Sequence, residues 1–171
     1  MSPPVFGITG WKNSGKTTLT ARLIAEFTAR GFKVAAVKHA HHGFDVDQPG
    51  RDSHKFREAG AQEVAIGSAK RVAIMRELRE EDEPELDDIV ARLDGPDLVL
   101  VEGYKRNGHA KIEVRRRESI QHDPLAGRIG GVVAVASDHD TDSGGLPLFA
   151  LDDIAAMADF IASHLGLRET K

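Results

Sequence analysis

Apolar and polar positions along this chain switch between two periods, and the switches mark its elements. The run Val5-Phe6-Gly7-Ile8 predicts a buried strand over 4–9. Leu19, Leu23, Ile24 and Phe27 then recur at helical spacing, which predicts an amphipathic helix over 16–30 closed by Gly31. Val34-Ala35-Ala36-Val37, within 33–38, reads as a second buried strand, so the chain opens with a right-handed βαβ unit. Residues 39–53 break the pattern: they are polar, carry two glycines and a proline, and are long for a connection, as functional loops often are. A short helix over 53–59 ends at Gly60. Strands at 63–66 and 71–75, joined by Gly67-Ser68-Ala69-Lys70, predict a β-hairpin.

The acidic stretch 77–85 reads as a solvated surface. Pro84 opens a helix with Leu86, Ile89, Val90 and Leu93 on one face, and Gly95-Pro96 ends it. Residues 97–103 are the most strand-like run, 111–115 a shorter strand, 131–136 the last clear buried strand and 146–150 a short addition. Loops cover 118–130 and 138–145. Asp152 is the expected N-cap of a final helix whose Ile154, Met157, Ala158, Ile161 and Leu165 share a face, with Gly166 as its end. With neither an internal repeat nor a linker, the expectation is a single domain over 1–171 with a hairpin insertion at about 63–76.

One stretch supplies chemistry. Gly10-Trp11-Lys12-Asn13-Ser14-Gly15-Lys16-Thr17 reads G-x-x-x-x-G-K-T between a predicted strand and a predicted helix, the context that a phosphate-binding P-loop needs. The glycines let the backbone curl so that successive N–H groups form an anion nest, and the helix that follows adds its positive end. Gly10 to Thr18 are therefore the candidate nucleotide-binding residues: Lys16 for the β- and γ-phosphates, the Thr17 hydroxyl for Mg²⁺. Lys12 is a phosphate contact, a charge reaching across a dimer, or a solvated lysine. The fold class that follows is α/β, a three-layer P-loop NTPase fold with a mostly parallel central sheet and an added β-hairpin.

A P-loop calls for a carboxylate at the end of a neighbouring strand. Leu98 to Val101 deliver Glu102 to that position, where ligands of open α/β sheets bind. Glu102 is the candidate Mg²⁺ partner of Thr17, although Asp is more usual there. Asp45, Asp47 and Asp52 in the loop after strand two are candidates to orient metal or water, and Lys16, Asp45 and Asp52 form the candidate catalytic set. His39, His41, His42 and His54 suit either a transition metal or contacts to phosphate and carboxylate. Asp138, just past strand 131–136, is either a turn acid or the carboxylate that accepts both N1–H and the amino group of guanine.

Composition narrows the classes. The chain of 171 residues is 40% hydrophobic and 29% charged, an ordinary globular balance, and its net charge of −4 argues against nucleic acid as a partner. The absence of cysteine removes disulfides, thiolate metal sites and cysteine nucleophiles. No signal sequence is visible and no apolar run approaches the roughly 18 residues of a membrane span, so a cytoplasmic protein is expected.

With these residues in hand, the chain resembles the molybdopterin-guanine dinucleotide biosynthesis adapter proteins, the MobB family, over about residues 5–165. The resemblance rests on Gly10 to Thr18, on Lys38-His39 with His41, His42 and Phe44, on Asp47 to Ser53 with Ala59-Gly60-Ala61, and on Asp97 to Lys105. It implies a GTP-binding protein that uses Mg²⁺, a weak GTPase at most. It also implies an adapter to the guanylyltransferase that joins GMP to molybdopterin, and a homodimer formed through the added hairpin at about 63–76. An exposed two-stranded edge is itself a liability that pairing would relieve. The nucleotide role carries to Gly15, Lys16 and Thr17, and to Glu102. Two rival readings stay open: a nickel-type metal-delivery GTPase using His39 to His42, and a small-molecule kinase with Arg115 to Arg117 as a lid.

Overall fold

The computed structural model describes residues 2–40 and 43–168. In chain order the elements are β1 (Val5–Gly10), α1 (Lys16–Ala29), β2 (Val34–Lys38), α2 (Asp52–Glu58), β3 (Glu63–Gly67), β4 (Val72–Arg76), α3 (Leu86–Val90), β5 (Leu98–Glu102), β6 (Lys111–Arg115), β7 (Val132–Ser137), β8 (Leu148–Ala150) and α4 (Ile154–Leu165). They form two compact units, residues 1–39 with 86–171, and residues 40–85.

The larger unit is an α/β layer structure around a six-stranded sheet of order β2-β5-β1-β6-β7-β8, with every pair parallel. Period-2 alternation sorts its strands onto two cores. Phe6, Ile8, Leu98, Leu100, Ile112 and Val114 face Leu19, Leu23 and Phe27 of α1 and Met157 and Ile161 of α4. Val37, Val99 and Val101 face the other way, onto Leu86 and Val90 of α3. Both faces are covered, so β5 and β7 read as nearly continuous apolar runs.

Two helix ends differ from the sequence expectation for a clear physical reason. The face Leu86, Ile89, Val90 and Leu93 packs as one cluster, yet α3 closes at Val90. Beyond it the N–H groups of Arg92 and Leu93 bond the carbonyls three residues back, at 3.1 Å each, so the last turn tightens before the left-handed Gly95. The N-cap of α4 is Asp153, whose carboxylate accepts the Ala156 N–H at 3.2 Å, while Asp152 pairs with Arg22 at 2.8 Å. Tandem acids leave the choice of cap to a neighbour distant in sequence.

In the unit 40–85, β3 and β4 pair antiparallel with Glu63 opposite Arg76 and Gly67 opposite Val72. The Ser68 hydroxyl accepts the N–H of Lys70 and of Arg71, which folds Arg71 into the turn and starts β4 one residue later than periodicity suggests. Val64 is buried, whereas Val72 and Ile74 are 71% and 70% exposed. Arg57 of α2 gathers Asp47 at 2.6 Å, Glu77 at 2.7 Å and Asp45 at 3.1 Å.

Candidate functional site

The site is built where β1 runs into α1. A Cβ on Gly10 would lie 2.5 Å from Ser14 Oγ and 2.7 Å from the Val114 carbonyl, so only glycine lets the chain leave the strand at this point. Asn13 and Gly15 then take left-handed conformations, φ 63° and 87°, and coil the loop back on itself. Gly15 caps α1 with no side-chain bond, and no acid lies in the first turn, so the positive end of α1 is left open to an anion.

Lys16 folds back over the loop and donates to the Trp11 carbonyl at 2.6 Å. Burial pushes its pKa down; Glu102 opposes the shift, while Lys105 and Lys38 reinforce it. The Thr17 hydroxyl lies 3.0 Å from both oxygens of Glu102. Sheet order explains the meeting: β5 lies beside β1, and Lys38 is the register partner of Glu102 on β2. Lys38 Nζ accordingly stands 3.4 Å from Glu102 Oε1, whose side chain is only 11% exposed. A hydroxyl and a carboxylate next to an open helix N-terminus are oxygen donors of the type that a hard divalent cation takes, so the donor set fits Mg²⁺.

Gly103 and Tyr104 are left-handed in succession, φ 95° and 49°, and this turn places Lys105 Nζ 4.4 Å from the centroid of the Trp11 ring. The indole N–H of Trp11 donates to the Asp123 carbonyl at 2.7 Å. Burial lowers the pKa of Lys105, opposed by Glu113. On the far side, Asp138 directly follows β7. Its Oδ1 accepts the Arg117 N–H at 2.8 Å and meets His139 Nδ1 at 2.8 Å, and its Oδ2 lies 3.6 Å from Arg116 Nε. The His139 hydrogen bond, with help from the Arg117 N–H and the Arg116 charge, holds this carboxyl below the usual range.

The remaining expected acids belong to the smaller unit. Asp45 and Asp47 are bound to Arg57, which lowers the pKa of Asp47, and Asp52 starts α2 at 3.5 Å from Lys55. All three belong to the unit 40–85. His41 and His42 lie outside the described residues. His54 Nδ1 is 3.4 Å from Glu58, and among the described residues no group of three or more His, Asp or Glu side chains is disposed to hold a metal.

Sequence patterning missed a buried pair beside the loop. Glu113 and Arg115 of β6 are 1% and 8% exposed and meet at 2.9 Å. Glu113 accepts the N–H groups of Leu125 and Ala126 at 2.9 Å each, and Arg115 donates to Thr141 Oγ1 at 3.2 Å and the Asp142 carbonyl at 2.6 Å. One pair thereby fastens both loops that follow β6 and β7. The signal was the alternation Lys111-Ile112-Glu113-Val114-Arg115, which resembles a half-wet strand.

Comparison with known proteins follows the same outline. The family model described as molybdopterin guanine dinucleotide synthesis protein B matches residues 5–138. The molybdopterin-guanine dinucleotide biosynthesis adapter protein of Escherichia coli (strain K12) is 39% identical over 165 residues, 95% of this chain and 93% of that protein. The protein of the same description from Haemophilus influenzae is 38% identical over 164 residues, 95% of this chain and 89% of its own. A crystal structure described as molybdopterin-guanine biosynthesis protein B superposes with a TM-score of 0.74 at 34% identity, covering 94% of this chain and 99% of that one.

Proposed function

The chain belongs to the molybdopterin guanine dinucleotide synthesis protein B family, and on that premise we propose that it is a GTP-binding adapter of molybdopterin guanine dinucleotide synthesis. In this reading it serves the guanylyltransferase that joins GMP to molybdopterin. The observation that carries the nucleotide part is the approach of Thr17 to both oxygens of Glu102, at 3.0 Å, beside the uncapped start of α1. The amides of residues 13–17 and Lys16 would hold the phosphates, and Thr17 with Glu102 would hold Mg²⁺. The metal supplies charge to the β- and γ-phosphate oxygens when bound. Lys16 would exchange its bond to the Trp11 carbonyl for phosphate oxygens. Asp138 is the candidate for the guanine edge. Of Asp45, Asp47 and Asp52, the acids expected to orient metal or water, the first two are engaged by Arg57 and the third stands beside Lys55, which fits slow hydrolysis at most. The exposed Val72 and Ile74 of β4 support a homodimer formed through the hairpin.

Calorimetric titration with GTP and ATP, with and without Mg²⁺, tests the reading. GTP binds in preference to ATP, and Lys16→Ala abolishes binding while the circular dichroism spectrum is unchanged. Thr17→Ala and Glu102→Gln each weaken binding more with Mg²⁺ than without it. A Lys16→Ala variant that binds GTP like the parent sinks the proposal.

A further inference from the structure

Arg116 follows β6 and stands beside Asp138. Its side chain runs along Gly15, the residue that starts α1: a Cβ on Gly15 would come within 3.0 Å of Arg116 Cδ and 3.7 Å of Nη1. Its Nε is 3.6 Å from Asp138 Oδ2, too long for a hydrogen bond, and is buried without a hydrogen-bond partner. The guanidinium is thus held at the shoulder of the loop by charge alone, with donors left over. Five N–H donors in a planar fork match phosphate oxygens. The loop itself supplies a second, independent sign. Ser14, 1% exposed, also carries a hydroxyl without a partner. Buried polar atoms normally find partners, and two orphans flanking Ser14-Gly15 mark a place where acceptors are missing.

We propose that Arg116 is a phosphate-binding arginine supplied from within the chain, anchored by Asp138, so that one side chain joins the phosphate loop to the carboxylate that faces the base. This rests on the nucleotide reading and extends it. Guanine donors arriving at Asp138 compete with Arg116 for Oδ2. The guanidinium, released from Asp138 while its stem still lies along Gly15, then has the phosphates as its remaining partners. A matching base therefore tightens the grip on the phosphates, which makes Asp138 and Arg116 a coupled pair.

The experiment is calorimetric titration of the full chain with GTP and, separately, with inorganic tripolyphosphate, which carries no base. The variants are Arg116→Gln, Arg116→Lys and Lys16→Ala. Arg116→Gln is expected to weaken GTP by about tenfold or more, the scale of a charge-assisted bond, and tripolyphosphate, which does not draw the guanidinium off Asp138, by less; Arg116→Lys is expected to recover part of the GTP loss. Unchanged GTP affinity in Arg116→Gln, with binding lost in Lys16→Ala, overturns the assignment and leaves the P-loop reading standing. Equal losses in the Gln and Lys variants, accompanied by a lowered melting temperature, reduce Arg116 to a structural strut and overturn it as well. A parent protein that binds neither ligand overturns both this inference and the reading beneath it.

Discussion

The two units of this protein treat polarity in opposite ways. The parallel-sheet unit puts charge inside: Lys111, Glu113 and Arg115 of β6 are all buried. The unit 40–85 puts apolar side chains outside, with Phe44, Val46, Phe56, Val72 and Ile74 all more than half exposed. Size and topology account for the contrast. A central strand covered on both faces cannot send its polar residues to water, so each must find partners from loops folded over it. Lys111 does so with the carbonyls of Asn107 and Gly130. A domain of about 60 residues buries only about 60% of its unfolded surface, and the unit 40–85 is shorter still. Ion pairs around Arg57, more than an apolar core, tie its loop to its hairpin. Charge thus serves to close loops in one unit and to replace a core in the other.

Removing one half of a buried pair breaks the contrast most severely. Glu113→Ala strands Arg115 and frees the amides of Leu125 and Ala126, and is expected to cost roughly 3–5 kcal/mol. Urea denaturation reads the loss as a lower midpoint. A midpoint equal to the parent's would show that the loops over β6 hold without the pair. Replacing Glu113 and Arg115 together with apolar residues is expected to recover much of that loss.

A second test uses protons. His109 sits against Gly7, where a Cβ would come 2.6 Å from Nε2, and both ring nitrogens are buried without partners. Burial, helped by Lys111 and opposed by Asp87, depresses its pKa from 6.5 to about 4. The unfolded chain takes up a proton below pH 6.5 that the folded chain refuses until about pH 4. Stability is therefore complete above pH 6.5, falls between those values by roughly 3 kcal/mol, and levels below them. Urea midpoints measured across this range in the parent and in His109→Leu check the origin of the slope. A slope that survives the substitution assigns it to another group.

The smallest expected effect lies in the other unit. Ile74→Asp touches a side chain 70% exposed and should change folding stability by no more than about 0.5 kcal/mol. It should nevertheless lower the mass seen by light scattering from that of a pair to that of one chain. A parent that is already a single chain at tens of micromolar, on the order of the range where stable pairs persist, removes the hairpin from the interface.

Much of the fold was legible where apolar strands are buried. Leu98 to Val101 could hardly be anything but an inner strand, and the face Leu86-Ile89-Val90-Leu93 packs as its spacing requires. The end of α3 was not legible, since a tightening of its last turn leaves no mark in periodicity. The meeting of Thr17 with Glu102 was legible from a motif and a strand end that α/β topology brings together. The placement of Lys38 and Lys105 at this site was not, because strand order and two left-handed residues set it, and neither has a local pattern. The burial of Glu113 and Arg115 was not legible for a related reason: their partners are mostly backbone atoms and a hydroxyl on remote loops, which no spacing of side chains announces.

Trp11 is the single tryptophan of the chain, and it sits inside the phosphate loop. Its ring lies under the Lys105 ammonium, and its indole N–H is fixed to the Asp123 carbonyl. The emission of the whole protein above the tyrosine band is therefore the emission of this loop. A ligand that draws Lys16 off the Trp11 carbonyl, or Lys105 off its ring, changes the field across the only indole present, and the colour and yield of its fluorescence change with it. The molecule carries its own optical gauge, native and unlabelled, at the residue next to Gly10.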